Sequence, residues 1–370
     1  MTPGVQVRQL AETLLERVSA DSFMRSALAD KVKPNRPIFI ISLGKAAGAM
    51  GKETAFWLGA SFAGGFATGH NSQALNGLEE EWQTHIGGHP RPNEQSLDAG
   101  TSLLAWIEAL PKDAAVWACL SGGASAIIEV PKPGSSLLDL QSCLDRSFTE
   151  GWSIERLNVE RQKHSELKGG GLAKILGSRL ERVFCLSDVE PNRLEVLGSG
   201  PFWTESTKVL HKVIADRNSL VPLIESAARE QGLMPLNFGS FSMDLEEWAA
   251  THLKPAINHA EPNTLCYWVG EPTLRLGENP PPGGRCHEAA FRARLLLKPN
   301  QAFAAFGTDG LDGTSGGAGA WVSPDQPLPF DPEQLLKNHD SLAWCKEVYA
   351  SIPEKATASN LNDIALLNTQ

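Results

Sequence analysis

The chain has no apolar run approaching the ~18 residues that a membrane-spanning helix needs, and no long basic block. Its six cysteines form no CxxC pair, which removes the usual zinc and dithiol spacings. With Lys+Arg 33 against Asp+Glu 43 the formal charge is −10, so neither nucleic acid nor an anionic membrane is expected as the main partner. Met1 to Asp21 lacks the charged-then-apolar layout of a signal peptide. Leu10, Leu14, Leu15 and Val18 instead have helical spacing and predict an amphipathic opening helix. Cys119, Cys185 and Cys266 sit inside apolar runs, as buried thiols do, and a reducing cytoplasm fits that usage. Also missing are a Walker A loop and a dinucleotide GxGxxG, and the turn Ser121-Gly122-Gly123-Ala124-Ser125 is not the GxSxG elbow of serine hydrolases.

What is present is a short apolar run, five times over, each ending at a polar loop that contains glycine. The runs are Pro37 to Leu43, Ala115 to Leu120, Val183 to Leu186, Thr264 to Val269 and Ala302 to Phe306. Runs this short and nearly unbroken read as strands buried on both faces, as in a parallel sheet. Helix-like stretches follow Lys45, Ser125 and Lys168, and this alternation predicts a doubly wound, Rossmann-like α/β layer. A further helix-like stretch runs from Val209 to Glu225, and Gly232 to Ser240 reads as a linker where periodicity fades. Helices are expected again over Met243 to His259 and Cys286 to Leu297, with a proline-rich loop at Gly277 to Gly284. At 370 residues the chain exceeds the ~250–300 at which single cores stop growing. Two α/β domains are expected, 1–232 and a smaller one at 233–370.

In open α/β sheets ligands bind beyond the carboxyl ends of the strands, so the loops there carry the chemistry. Gly44-Lys45-Ala46-Ala47-Gly48 offers backbone N–H groups and a point charge to an anion, or else is a tight turn with a solvated lysine. Ser121-Gly122-Gly123-Ala124-Ser125 is a second anion nest or a structural turn. Asp188 at a strand end could hold Mg²⁺, take a hydroxyl proton, or cap a helix. Lys168, before three glycines, could close over a ligand or end a helix. Gly283 and Gly284 place Arg285 before a helix, where a guanidinium can grip a phosphate, with Glu271 and Glu288 able to orient it. The loop Gly307 to Thr314 puts Asp309 and Asp312 among three glycines and suits a magnesium-nucleotide contact better than a calcium loop. His85 and His89 are expected to be loop residues rather than metal ligands, because Gly87, Gly88 and Pro90 oppose a helix there.

Taken in order, these loops resemble the glycerate 2-kinase family. The matching segments are Gly44 to Met50, Gly88 to Ser96, Leu120 to Ala126, Lys168 to Ala173, Ser187-Asp188-Val189 and Gly198 to Pro201. They continue with Gly270 to Thr273, Gly283 to Arg285, Gly307 to Gly313 and Asn360 to Asp363. The resemblance implies transfer of the γ-phosphoryl of Mg·ATP to the 2-hydroxyl of D-glycerate, in a cleft between the two domains to which the last residues return. It further implies that Lys45, Asp188, Glu271, Arg285 and Asp309 face that cleft, where Lys45 and Arg285 are expected to neutralise the transferring group, Glu271 to orient Arg285, and Asp309 and Asp312 to serve Mg²⁺. Asp188 would be the hydroxyl's base or a second metal contact. Gly44, Ser121, Gly122, Gly123, Ser125, Lys168, Gly283, Gly284 and Asn360 would line the nucleotide and the hydroxy acid.

Three departures stand out. The family's Gly-Gly-Arg-Asn-Gln-Glu is Gly283-Gly284-Arg285-Cys286-His287-Glu288 here, and its Arg-Lys-His-Leu-Ser is Arg161-Gln162-Lys163-His164-Ser165. Its Lys-Gly-Gly-Arg becomes Lys168-Gly169-Gly170-Gly171, which loses a cation. Rival readings are a kinase for another small hydroxy acid, an NAD(P)-dependent hydroxypyruvate reductase and a silent nucleotide-binding relative. The reductase would want a glycine fingerprint after the first strand and an acidic residue ~20 positions on. A homo-oligomer is compatible with the sequence.

Overall fold

The computed structural model describes residues 1–187, 193–206, 208–276 and 280–370. The chain divides into two compact units, one of Ala20–Asp216 and one of Met1–Ser19 with Arg217–Gln370. This division differs from the boundary expected at 232/233, and the opening helix accounts for much of the difference. Pro3–Arg17 buries Val7, Leu10, Leu14 and Leu15. That face packs on the later unit's sheet and on the helix Leu220–Glu230. Gln6 ties it down by accepting from the Asn368 side chain at 3.0 Å.

The Ala20–Asp216 unit is built on β1 (Ile38–Leu43), β2 (Phe62–Gly69), β3 (Trp82–Ile86), β4 (Ala115–Ser121), β5 (Leu180–Leu186) and β6 (Leu210–Ala215). The order is β3-β2-β1-β4-β5-β6, parallel throughout, which is the doubly wound Rossmann arrangement. Ile41, Leu43, Val116, Ala118, Leu120 and Val183 supply the strand side of its core. Neighbouring β1 and β4 lead outward in opposite directions, to β2 and to β5. Their carboxyl ends therefore form the switch point where such sheets bind ligands. The helix expected over Val209 to Glu225 is instead β6 followed by Leu220–Glu230. Pairing with β5 wins over local helical spacing there.

The second unit carries β7 (Met234–Ser240), β8 (Thr264–Gly270), β9 (Gln301–Gly307), β10 (Gly317–Val322), β11 (Ser351–Pro353) and β12 (Asp363–Thr369). Their order is β11-β10-β9-β12-β8-β7. The expected linker at 232–240 is thus an edge strand, β7, paired in parallel with β8. Its residues are mostly exposed, which is why no apolar alternation marks it. β8 and β9 are not hydrogen-bonded to each other: β12 lies between them, antiparallel to both. The sheet is mixed where the apolar runs suggested a parallel one. Every residue of β12 is buried all the same, and a core of Trp248, Trp268, Phe291 and Phe303 packs the unit.

Among the described residues no helix is long and apolar enough to cross a membrane. All six cysteines are free thiols and buried. The fully buried Leu366 lies mid-strand in β12. Leu366→Ala is expected to cost about 2–5 kcal/mol, from lost burial plus the cavity left behind. Urea denaturation followed through tryptophan fluorescence checks this.

Candidate active site

At the end of β1 the chain turns sharply. Gly44 has φ +122°, and a Cβ there would lie 2.2 Å from Ser121 Oγ, so a side chain is excluded on both conformational and steric grounds. The Lys45 amide donates to the Gly122 carbonyl at 2.9 Å. The Ala46 amide donates to Ser121 Oγ at 3.0 Å. Ser121, expected to touch ligand, is buried and spends its hydroxyl bracing this turn. The β1 and β4 loops are therefore stitched together at the switch point. Lys45 and Gly123 are close neighbours, since a Cβ on Gly123 would stand 3.1 Å from Lys45 Cγ and 3.3 Å from His89 Cδ2.

Positive charge gathers at this turn. Partial burial, with Lys45, His70 and Arg161 around it, pushes the His89 imidazolium down to about 4. His70 is lowered by burial and by Lys45. Among the described residues neither Lys45 nor Arg161 has a carboxylate partner. Ser125 takes part in a polar chain with Arg161 and Ser199. Lys168 goes elsewhere: it is buried against the equally buried Glu129, with which it forms an ion pair. Burial lowers its ammonium to about 7. A lysine held this way is not presented to a ligand. Asp188 lies outside the described residues.

In the second unit the register of β12 sets the chemistry. Asp363, its first residue, is opposite both Gly270 at the end of β8 and Gly307 at the end of β9. This carboxylate therefore sits at the carboxyl ends of two strands that a neighbouring, oppositely directed strand brings together. It grips Arg285, the first residue of the helix Arg285–Arg294. Nε donates to Asp363 Oδ2 at 2.5 Å and Nη2 to Oδ1 at 3.3 Å. Nη1 donates to Glu271 Oε1 at 2.9 Å. Burial alone would disfavour the guanidinium's charge, but Asp363 and Glu271 more than offset it and hold its pKa above the ordinary value. Burial pushes the Asp363 carboxyl up to about 7, against the pull of Arg285. Two charge-assisted bonds make the pair ionic on geometry, and Arg285 stays 36% exposed at its side chain.

Asp312 takes a different part from the one expected. Oδ1 accepts from the Cys286 amide at 3.0 Å, and Oδ2 from the His287 amide at 2.8 Å. His287 Nδ1 lies 2.7 Å from the same Oδ2. Both oxygens are used by N–H groups, so Asp312 caps the helix that carries Arg285 and does not suit a metal. Gly284 follows from this cap, because a Cβ there would come within 2.2 Å of Asp312 Cγ. Gly283 bonds Thr314 through its carbonyl and its amide. Asp309, half-buried at the end of β9, accepts from the Leu311 amide at 3.0 Å. Among the described residues no group of three or more His, Cys, Asp or Glu is disposed to hold a metal ion. Asn360 is exposed, next to Leu361 and Asn362, which are locked to Thr308.

Sequence reasoning assigned no role to Asp363 or His287, and it marked Arg161 only as part of a stretch in which a basic contact to substrate is shifted relative to the family. Asp363 stood inside a matched segment, yet only the strand register makes it the partner of Arg285. His287 occupies one of the departures noted above, and its ring backs the Asp312 cap.

Asp312→Asn replaces one acceptor oxygen with an N–H donor facing other donors. A loss of about 1–3 kcal/mol in unfolding free energy is expected, with or without magnesium, by chemical denaturation. His89 provides a pH test. Its folded value near 4 lies below the ordinary 6.5, so the unfolded chain takes the proton first. Its contribution to stability is full above pH 6.5 and is lost as pH falls toward 4. The His89 ring proton shift should stay flat from pH 8 to about 5.5.

The family model described as "Domain of unknown function (DUF4147)" matches residues 6–229, and the MOFRL family model matches 264–363. The chain is similar to the D-glycerate 2-kinase of Thermotoga maritima, 27% identical over 97% of this chain and 96% of that protein. It is also similar to an Agrobacterium vitis protein that carries a hydroxypyruvate reductase name, 24% identical over 97% and 94%. Its fold matches the crystal structure of glycerate kinase from Thermotoga maritima with a TM-score of 0.88, covering 99% of both chains at 24% identity. The chain belongs to the family that joins a DUF4147 domain to a MOFRL domain, the family of the glycerate 2-kinases to which it is similar.

Proposed function

We propose that the chain is an ATP-dependent glycerate 2-kinase. The 2-hydroxyl oxygen of D-glycerate forms a bond to the γ-phosphorus of ATP, the bridging bond to the β-phosphate breaks, and ADP leaves. The hydroxyl proton passes to a base. Phosphoryl transfer demands little covalent chemistry from a protein and much positioning and charge neutralisation. The observation that carries the reading is Arg285, a partly exposed guanidinium whose orientation is set by Asp363 and Glu271. A cation fixed in this way stabilises developing negative charge without reorganising during the reaction. Lys45 is assigned the same kind of task at the β1 turn of the other unit.

Asp309 is the carboxylate we assign to the magnesium ion that accompanies ATP, since phosphates and waters usually complete such a site. Asp188 is kept as the hydroxyl's base or a second metal contact. We place the enzyme in the cytoplasm on its acidic charge and its buried free thiols.

The parallel sheet has the strand order of dinucleotide-binding folds, but fold alone does not assign function. After β1, Gly44-Lys45-Ala46-Ala47-Gly48 lacks the fingerprint by which a nicotinamide enzyme holds its pyrophosphate. The reductase reading has no comparable support.

Incubation with Mg·ATP and D-glycerate should release ADP and give 2-phosphoglycerate, identified by ³¹P NMR. Arg285→Ala should lower kcat by roughly 100-fold or more, as removal of one preorganised charge-stabilising group does elsewhere. Wild-type turnover in that variant, or no ADP above the no-acceptor control in the parent protein, would remove the proposal.

A further inference from the structure

Arg161 is the most unusual charged group in the Ala20–Asp216 unit. It stands on the helix Ile154–His164 and is only 9% exposed, yet among the described residues no carboxylate pairs with it. Burial lowers its pKa, and no acidic side chain of the described residues offsets this. Buried arginines are ordinarily paired, because the cost of removing a charge from water is several kcal/mol. An unpaired one therefore calls for a partner.

The bonds around Arg161 engage only part of its guanidinium. Nη1 donates to Ser125 Oγ at 3.0 Å. Ser125 Oγ lies 2.7 Å from Ser199 Oγ, and Ser199 Oγ donates to Asn158 Oδ1 at 2.8 Å. With the Ser199 proton directed to Asn158, the Ser125 hydroxyl donates to Ser199 and accepts from Arg161. This chain satisfies the two hydroxyls and leaves the guanidinium with one of its five N–H donors engaged. The rest of the fork has no partner among the described residues. Arg161 is also close enough to His89 to lower that ring's basicity, as is Lys45. So Arg161 belongs to the same switch-point cluster as Lys45 and the Gly122-Gly123 turn.

We infer that Arg161 is the specificity-determining residue of the acceptor subsite, and that its free N–H edge takes the planar carboxylate of the hydroxy acid. The inference rests on the kinase reading and adds to it what the enzyme recognises. A carboxylate presents two coplanar oxygens that match a guanidinium edge. The bond between Arg161 and Ser125 holds the fork still, which lowers the entropy cost of binding. The carboxylate supplies the charge that the described residues leave uncompensated. An acceptor without it, such as glycerol, would leave Arg161 buried and unpaired and is rejected on that account.

Isothermal titration of the full chain with D-glycerate, without ATP, tests this directly, with glycerol as the control. Wild type should bind D-glycerate and not glycerol. Arg161→Gln should weaken D-glycerate binding roughly 10- to 100-fold, and Arg161→Lys, which keeps charge but not the fork, by less. In turnover, KM for D-glycerate should rise in Arg161→Gln while KM for ATP stays put. The melting temperature of Arg161→Gln should match or exceed wild type, because an uncompensated buried charge is gone. A merely structural arginine would lower it. Unchanged D-glycerate binding in Arg161→Gln, no binding by wild type, or a change in KM for ATP instead would each overturn the assignment. Arg161-dependent binding without formation of 2-phosphoglycerate would remove the kinase reading and leave the carboxylate site standing.

Discussion

The second unit is organised around the bond between Arg285 and Asp363. Asp363 can reach the guanidinium only because β12 runs antiparallel between β8 and β9, which puts its first residue beside their last ones. Much of the surrounding structure serves that bond. The Asp312 cap starts the helix at Arg285, and Gly284 leaves room for the cap. His287 holds the second oxygen of Asp312, and Glu271 takes the remaining side of the fork. Losing any one of these would loosen the guanidinium without removing it.

The other unit reaches a similar end by other means. Its parallel sheet needs no inserted strand, because the 3-2-1-4-5-6 order already opens a crevice between β1 and β4. Backbone bonds between the Lys45 turn and the Ser121–Gly122 turn fix the two loops against each other. Around them Lys45, Arg161 and two histidines gather with no carboxylate paired to either of the two permanent cations among the described residues. The Arg285 cluster is paired with Asp363 and Glu271, whereas among the described residues the two cations of the switch-point cluster have no carboxylate partner.

Side-chain direction divides the residues that motif reading treated alike. Ser121 and Ser125 occupy one glycine turn, yet Ser121 braces the backbone while Ser125 bonds Arg161. Asp309 and Asp312 share one loop, yet Asp312 is consumed by amides of another element. Lys168 looked like a ligand cation from its three glycines and is instead buried against Glu129. In each case the competing partner comes from a segment distant in sequence, so local composition carries no trace of it.

From the sequence alone came the strands at the five apolar runs, the α/β class, the loops that bear chemistry and the family likeness. Those follow from short-range physics: strand-length apolar runs seek burial on both faces, and glycines mark turns wherever they fall. Tertiary structure decided what local spacing does not encode. It placed the opening helix with the later unit, turned an exposed and patternless stretch into β7, and inserted β12 between two strands that read as neighbours. It also decided which carboxylate meets which cation. Asp363 and Arg285 stand 78 positions apart, and Arg161 and Ser125 stand 36 apart. Contacts of that range are set by strand register and helix placement, which only the folded chain specifies.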